Sequence, residues 1–204
     1  MGRFFYFWIY GNAASNIKPQ PQEKYFDHPS HIHGINHTYR VMVHAYILGS
    51  QVLDESGQKS VLAAAFIHDM ARKHDGYCTE HGGWAADNKL PVFKATFDKL
   101  GINHWNIIAD AVTSHSLYEE FPAVHPSWPV TSVLKDADAL DRFRIGEKNL
   151  NISFLRHEFT HEMIDFAREL YLSTVNLNFR SFTEVLQHAK QISHQNKRPW
   201  SNIL

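Results

Sequence analysis

The chain has 204 residues, of which 44% are hydrophobic and 20% are charged, and its formal net charge at pH 7 is −1 when the histidines are neutral. This length and composition are typical of one globular domain with a full core. The near-zero charge gives no electrostatic reason to expect a nucleic-acid polymer or an anionic membrane as partner, so any phosphorylated ligand has to be attracted locally.

Residues 1–30 are predicted to form an irregular N-terminal lead-in. The apolar run Phe-Phe-Tyr-Phe-Trp-Ile-Tyr at 4–10 is far too short to span a bilayer, and its many aromatics are unusual for a signal peptide. We therefore expect this run to pack on the domain surface or to join an oligomer contact, and the sequence permits a homo-oligomer. A single cysteine, Cys78, excludes an internal disulfide and suits a reducing cytosol, so we predict a cytoplasmic protein.

Helical patterns dominate from about residue 35 onward, and they leave little room for strands. The first helix is predicted to end at Gly49. Three prolines mark 121–129 as a loop, and the capping-box pattern Ser181-Phe-Thr-Glu184 predicts the start of a last helix. Other helices are predicted over residues 58–73, 80–88, 91–99, 103–116, 131–144 and 155–174. The predicted fold class is all-α.

Histidines and carboxylates recur in an ordered series on the predicted helices. The series begins at His37, continues with the adjacent pair His68-Asp69, and proceeds to His81 and His115. It closes with Asp-Ala-Asp-Ala-Leu-Asp at 136–141. Imidazoles and carboxylates hold divalent metal ions, so these side chains are candidate ligands. Neighbours such as His68 and Asp69 project about 100° apart on a helix and can flank an ion in a groove, and the two oxygens of Asp69 could bridge two ions.

The remaining histidines are weaker candidates. His44 lies on the same predicted helical face as His37 and is expected to have a structural or orienting role. His157 and His161 are four residues apart, but the glutamates around them indicate a solvated helix face. Three histidines of the lead-in region are predicted to border the cleft entrance or to lie in solvent: His28, His31 and His33.

The phrases that surround this series resemble the HD superfamily of metal-dependent phosphohydrolases. They are His-x-x-Arg-Val at 37–41, an alanine-rich helix that leads into His68-Asp69, and Asp-Ala-Asp-Ala-Leu-Asp at 136–141. The resemblance covers about residues 30–145. It implies a single helical bundle of the HD type over 31–204, with core motifs at 33–145 and C-terminal helices at 155–196.

The resemblance also implies one or two divalent metal ions, drawn from Mn, Fe, Ni, Co, Mg or Zn. It implies a first ion held by His37, His68, Asp69 and Asp138, and a second held by Asp69, His81 and His115. The implied enzyme is a phosphoric ester hydrolase that acts on a nucleotide or another small phosphorylated metabolite.

The residues alone do not decide whether Asp136 or Asp138 is the last ligand of the series. These two side chains project about 200° apart on a helix, so only one can face an ion well, and both have apolar neighbours one turn away. The family pattern maps the ligand onto Asp138. Asp141 and Arg142 follow by one turn and could orient the ligands.

Two basic residues near the series are candidates for substrate binding. Arg72 lies one turn past Asp69, where related enzymes carry a Lys or Arg near the substrate phosphate, and it is predicted to bind that phosphate during catalysis. Arg40 lies one turn from His37 and could reach the same cleft or pair with an acid.

Two other functions fit the same residues. The six-ligand set also resembles di-iron oxygenases of the HD superfamily, since His and Asp accept iron as readily as manganese. A non-catalytic module that binds metal or nucleotide is the other alternative. The intact ligand set argues against that module, because a scaffold has no reason to keep buried charge.

Overall fold

The computed structural model describes residues 20–204, and all regular secondary structure in this part of the chain is helical. The predicted all-α class is therefore confirmed for these residues. The aromatic run at 4–10 lies outside the described residues. Residues 20–204 contain nine α-helices: α1 (Ile35–Val52), α2 (Glu55–Ile67), α3 (His81–Asn88), α4 (Leu90–Lys99), α5 (Trp105–His115), α6 (Trp128–Leu140), α7 (Glu158–Glu162), α8 (Ile164–Thr174) and α9 (Phe182–Gln195).

Short 3-10 helices complete the fold of residues 20–204. One precedes α1, two lie between α6 and α7, and one follows α9. Within the described range, every helix is too short or too polar to traverse a bilayer. The 3-10 helices are Glu23–Tyr25, Asp141–Arg144, Ile152–Phe154 and Pro199–Asn202.

Helix α1 lies at the centre of the bundle. Every residue from 37 to 49 is buried, so neighbouring elements cover this helix all round. It packs against α2 and α6, and α5 packs against both of those helices as well. Helix α3 packs on α5 and contacts α4, while α8 and α9 cover another part of α1. The bundle therefore brings the ends of α1, α2, α5 and α6 close to one another.

Helix α1 continues to Val52, past the end predicted at Gly49. Gly49 is buried against α2, where an added Cβ would lie 3.4 Å from Val61 Cγ1, which is an ordinary contact. Tertiary packing therefore keeps this glycine in the helix despite its low helix propensity. The chain then turns at Asp54, whose carboxylate accepts a hydrogen bond from Gly57 N at 2.7 Å and caps α2.

Helix α2 ends at Ile67, earlier than the sequence predicts. Beyond it, Met70 N donates to Ile67 O and Arg72 N donates to Asp69 O, so the chain continues in tight turns. His68 still has helical backbone angles, so Asp69 follows it at the very end of the helix. Both residues are buried, and both face the same centre.

Two further helices differ from their predicted bounds. The helix predicted over 131–144 starts earlier, at Trp128, where Pro129 fits the first turn because no N–H is needed there. It ends at Leu140, and the chain continues in the 3-10 turn Asp141–Arg144. The helix predicted over 155–174 is divided at Met163 into α7 and α8.

The predicted start of α9 is confirmed, with Ser181 as its N-cap, but the capping box is only partly formed. The Ser181 hydroxyl accepts a hydrogen bond from Glu184 N at 3.3 Å. The Glu184 carboxylate in turn accepts from Arg180 N at 2.8 Å, one residue earlier than the usual reciprocal partner. These bonds satisfy N–H groups that the first helical turn leaves without a partner.

Helices α3 and α5 approach each other closely at a glycine. A Cβ added at Gly82 would lie 2.4 Å from Val112 O, so only a residue without a side chain fits there. The Ser116 hydroxyl donates to Thr79 O at 2.7 Å and ties the same ends together. This approach brings the first residue of α3 next to the last residue of α5.

We expect Gly82→Ala to destabilise the fold by about 1–3 kcal/mol, because overpacking against main-chain oxygen forces the two helices apart. Gly83→Ala is the matched control, since nothing lies within 4 Å of a Cβ at that position. The higher helix propensity of alanine should make that variant more stable by about 0.5–1 kcal/mol. Urea unfolding measures both changes, and equal stability of the two variants would contradict the close approach of α3 and α5.

Candidate metal centre

Histidines and aspartates from separate segments converge on one buried cluster. The segments are the loop before α1, the first turn of α1, the turn after α2, the start of α3, the end of α5 and the last turn of α6. Asp138 is the most exposed member, with 23% of its side chain accessible, so the cluster opens to solvent there. The members are His33, His37, His68, Asp69, His81, His115 and Asp138.

Four of these side chains form a first group around His37. The Nε2 atom of His37 lies 3.1 Å from His68 Nε2. It also lies 3.3 Å from Asp69 Oδ2 and 3.3 Å from Asp138 Oδ1. Ligand atoms that surround a cation at about 2.1 Å lie about 3.0–3.4 Å from one another, so these separations fit one divalent ion.

A second group forms on the other oxygen of Asp69. His81 Nε2 lies 3.1 Å from Asp69 Oδ1 and 3.0 Å from His115 Nε2. His115 Nε2 lies 3.7 Å from the same carboxylate oxygen. The Asp69 carboxylate is therefore shared between two sets of histidines: His81 and His115 face Oδ1, whereas His33, His37 and His68 face Oδ2.

The hydrogen bonds of the ring Nδ1 atoms fix where the histidine protons lie. In His68, His81 and His115, Nδ1 contacts the main-chain carbonyl three residues earlier in the chain. A carbonyl only accepts, so each Nδ1 carries the proton and each Nε2 has a free lone pair. The lone pairs on Nε2 of His81 and Nε2 of His115 thus face each other across 3.0 Å. A cation bound by both nitrogens would relieve their repulsion. This donor set fits a divalent metal ion.

The electrostatics of the cluster also suit a cation. Burial lowers the pKa of His68 to about 3, which keeps this imidazole neutral. Burial opposes ionisation of Asp69 and Asp138. The pKa of Asp69 is nevertheless held well below its usual range by the surrounding imidazoles, and that of Asp138 by the Arg144 guanidinium together with His37 and His68. Neutral imidazoles and ionised carboxylates are the forms that bind metals.

His37 has a different protonation state in the metal-free protein. Burial and the Arg144 guanidinium both disfavour its charged form. Hydrogen bonds to the carboxylates of Asp138, Asp141 and Asp69 outweigh them and raise the pKa of His37 to about 9. A metal ion at this group therefore has to displace a proton from His37.

Asp141 orients His37 from behind. Its Oδ2 accepts a hydrogen bond from His37 Nδ1 at 2.7 Å, as expected for a carboxylate that supports a metal-binding imidazole. The prediction for Arg142 is wrong: this side chain is exposed and its Nε donates to Asn149 O at 2.9 Å. Arg142 contacts the following loop because the 3-10 turn directs it away from the cluster.

The prediction that Arg40 binds substrate is also wrong. Its Nε donates to Asp141 Oδ1 at 2.6 Å and its Nη2 donates to Asp141 Oδ2 at 3.0 Å. Only 3% of the side chain is exposed. Arg40 is therefore a buried partner of Asp141 behind the cluster, because its position on α1 faces the 3-10 turn rather than the opening.

The structure separates Asp136 from Asp138. Asp138 faces the cluster, whereas Asp136 is fully buried on another side of α6. The Asp136 carboxylate accepts hydrogen bonds from the main-chain N–H groups of Arg156 and His157 at 3.0–3.1 Å and from Thr160 Oγ1 at 2.7 Å. Asp136 therefore anchors the segment before α7 and does not reach an ion.

Arg72 lies at the edge of the second group. Its Nη1 is 3.6 Å from Asp69 Oδ1 and 3.1 Å from the ring nitrogens of His81. Its Nη2 donates to Gly76 O at 2.8 Å, and its Nε is buried without a hydrogen-bond partner. The guanidinium is thus held beside the cluster with one donor free.

His33 is a member of the cluster that was not predicted as a ligand. Its Nδ1 lies 2.8 Å from Asp69 Oδ2, and only 6% of the residue is exposed, so it belongs to the cluster and does not lie in solvent. The Ser30 hydroxyl accepts from His33 N at 2.8 Å and shapes the loop. A Cβ at Gly34 would lie 2.1 Å from Ser30 O, so this glycine is required. The Ser-x-x-His-Gly turn was the signal available in the sequence.

The other histidines lie outside the cluster. His44 is buried, its Nδ1 donates to Ala137 O at 3.2 Å, and burial lowers its pKa to about 4, in keeping with a structural role. His157 Nε2 lies 2.9 Å from Ser132 Oγ. His28 pairs with Asp75 at 3.6 Å near the surface.

Comparisons with known proteins identify no relative: no protein-family model, no curated protein and no solved structure matches the chain. The all-helical fold and the geometry of the cluster are therefore the observations from which a function can be argued.

Three overlapping trios in the cluster each have their ligand atoms within 4.8 Å of one another: His33, His37 and Asp69; His37, His68 and Asp138; and His68, Asp69 and His115.

We expect Asp138→Ala to weaken Mn binding by at least about tenfold, because it removes a ligand. Asp136→Ala should instead lower the free energy of unfolding by about 3–5 kcal/mol, because it removes one of the two carboxylates paired with Arg156 and leaves the N–H groups of Arg156 and His157 and the Thr160 hydroxyl without their acceptor. Its folded fraction should keep the metal affinity of the wild type. Metal titration and urea unfolding of both variants check this, and the reverse pattern would show that the two aspartates have been assigned wrongly.

Metal loading should stabilise the fold, because the cluster gathers lone pairs and carboxylates that repel one another when it is empty. At a free metal concentration of about 100–1,000 times Kd, we expect the free energy of unfolding to rise by about 3–4 kcal/mol. Thermal melting with EDTA, and again after Mn is restored, measures the change. A melting temperature that responds to neither treatment would mean that the cluster holds no ion.

Proposed function

We propose that this protein is a metal-dependent phosphohydrolase with an HD-type helical domain, and that it hydrolyses a phosphate ester of a small metabolite. The observation that carries the proposal is the Asp69 carboxylate, whose two oxygens face two separate sets of histidines. A pair of cations about 3.5–4 Å apart is common in phosphatases. The ligands also follow one another along the chain in the order that the HD resemblance implies.

The cluster residues divide between two ion sites. The imidazole-rich set favours Mn, Fe, Co, Ni or Zn over Mg, which prefers oxygen ligands. A bound cation would supply Lewis-acid polarisation of the phosphoryl group and a more acidic water. The first site would use His37, His68, Asp138 and Asp69 Oδ2, and the second would use His81, His115 and Asp69 Oδ1.

The protein side chains keep this centre oriented and shielded from water. Asp141 holds His37, and main-chain carbonyls hold the other imidazoles, so the Nε2 atoms stay directed at the ions. Burial of the second histidine pair leaves the opening at Asp138 as the route for substrate. Arg72, with its unpartnered Nε, is adjacent to the second pair and can donate to a phosphoryl oxygen there.

The test is a screen of phosphomonoesters and phosphodiesters with protein loaded with Mn, Co, Ni, Mg or Fe, followed by steady-state kinetics. We expect metal-dependent hydrolysis, and Arg72→Ala should lower kcat/KM by about 10–100-fold through the loss of a charge-assisted hydrogen bond to phosphate. The kcat/KM of Arg72→Lys should lie between those of the wild type and Arg72→Ala, because lysine keeps the positive charge but lacks the planar pair of donors.

Metal content of each variant is the control, and it should equal that of the wild type. Unchanged kinetics in Arg72→Ala would remove Arg72 from the mechanism. If no phosphate ester is hydrolysed with any of the five metals, while iron-loaded protein consumes oxygen with a polyol or phosphonate, the di-iron oxygenase alternative replaces the phosphohydrolase.

A further inference from the structure

Arg144 is a buried cation at the open end of the cluster. It lies in the 3-10 turn after α6, and only 5% of its side chain is exposed. Its Nη2 is 3.4 Å from Asp138 Oδ1 and 3.4 Å from His33 Nδ1, both long contacts. Its Nε and Nη1 are buried without a hydrogen-bond partner, and the carboxylate oxygen that faces Nη1, Asp141 Oδ2, is 4.0 Å away, beyond hydrogen-bond distance. Buried guanidinium N–H groups are normally paired, so these donors call for an acceptor that the protein itself does not supply.

The position of Arg144 matches the path into the site. Asp138 is the most exposed member of the cluster, and Arg144 is its immediate neighbour. Arg72 lies at the other end, beside Asp69 Oδ1 and His81. The two guanidiniums therefore contact opposite ends of the cluster, with the ion sites between them.

The charges around the cluster point to an anionic ligand. Arg40 pairs with Asp141 through two hydrogen bonds, which leaves Asp69 and Asp138 to face the other two arginines. When metal is bound His37 is neutral and the three aspartates balance the three arginines, so no protein carboxylate is left to offset the positive charge that the divalent cations bring. A buried excess of charge is costly unless a counter-ion accompanies it. Arg144 also competes with a cation for the Asp138 carboxylate, so metal binding alone gives no reason for its presence.

We propose that Arg144 binds the anionic phosphoryl group of the substrate at the opening beside Asp138. The inference rests on the proposed phosphohydrolase function and adds a substrate contact to it. A phosphoryl oxygen accepts hydrogen bonds from the N–H donors of Arg144 that lack a protein partner. The negative charge of the phosphoryl group offsets the excess positive charge of the metal-loaded site. Arg144 is thereby a binding residue for the anion rather than a support for the metal.

The experiment measures binding of inorganic phosphate to Mn-loaded protein by calorimetry, together with Mn affinity. Arg144→Gln should weaken phosphate binding by about tenfold or more, since a charge-assisted hydrogen bond is lost. Its Mn affinity should equal or exceed that of the wild type, because a cation next to Asp138 has been removed. Arg144→Lys should bind phosphate with an affinity between those of the wild type and Arg144→Gln. This second variant keeps the test decisive if Arg144→Gln does not fold.

Arg142→Gln is the matched control. Arg142 belongs to the same 3-10 turn, but its side chain is exposed and donates to Asn149 O. Its phosphate affinity should stay within about twofold of the wild type. The inference is overturned if wild-type protein binds no phosphate, if Arg144→Gln and Arg144→Lys bind phosphate as the wild type does, or if both lose Mn together with phosphate.

The same measurements separate this inference from the proposed function. Phosphate binding that depends on Arg144, in a protein that hydrolyses no phosphate ester, upholds the anion contact and overturns the phosphohydrolase. Metal-dependent hydrolysis with an unchanged KM and an unchanged phosphate affinity in Arg144→Gln upholds the phosphohydrolase and overturns the anion contact.

Discussion

The buried carboxylate of Asp69 is the interaction on which the rest of this structure depends. Only 3% of its side chain is exposed, and an ionised carboxylate at such a position costs several kcal/mol unless other groups compensate it. Imidazoles approach both of its oxygens at distances between 2.8 and 3.7 Å. His33 Nδ1 can donate to Asp69 Oδ2 at 2.8 Å, whereas the Nε2 lone pairs of His68, His81 and His115 face the carboxylate favourably only around a cation. Each imidazole comes from a different segment, so this one carboxylate gathers the loop before α1, helices α1, α3 and α5, and the turn after α2.

A second layer of buried charge supports this centre. Asp141 contacts His37 on one side and Arg40 on the other, and all three side chains are nearly fully buried. The Arg40 guanidinium also contacts Thr174 Oγ1 at 3.5 Å at the end of α8, so the C-terminal helices are linked to the orientation of a candidate ligand. Removing one member of such a chain leaves an unpaired buried charge, which explains why the same residues serve the fold and the site.

The candidate ligands lie at helix ends, where the chain changes direction. His37 is in the first turn of α1, His81 is the first residue of α3, and His115 is the last residue of α5. Asp138 is in the last turn of α6, and the pair His68-Asp69 follows the last residue of α2. Helix ends that meet at one end of a bundle can direct several side chains to one point, which a single helical face cannot do.

The sequence by itself determined the all-α class, the approximate helices and the ordered His/Asp series, because local periodicity and residue chemistry carry that information. Tertiary structure decided the rest. Asp136 and Asp138 have equivalent apolar surroundings along the chain, and only the packing of α6 directs one of them to the cluster. Arg40 pairs with Asp141 across 101 residues of sequence, and His33 reaches Asp69 from an irregular loop. Contacts of this kind depend on how the segments pack against one another, so a local pattern such as the Ser-x-x-His-Gly turn can indicate the shape of a loop but not the residue that its histidine reaches.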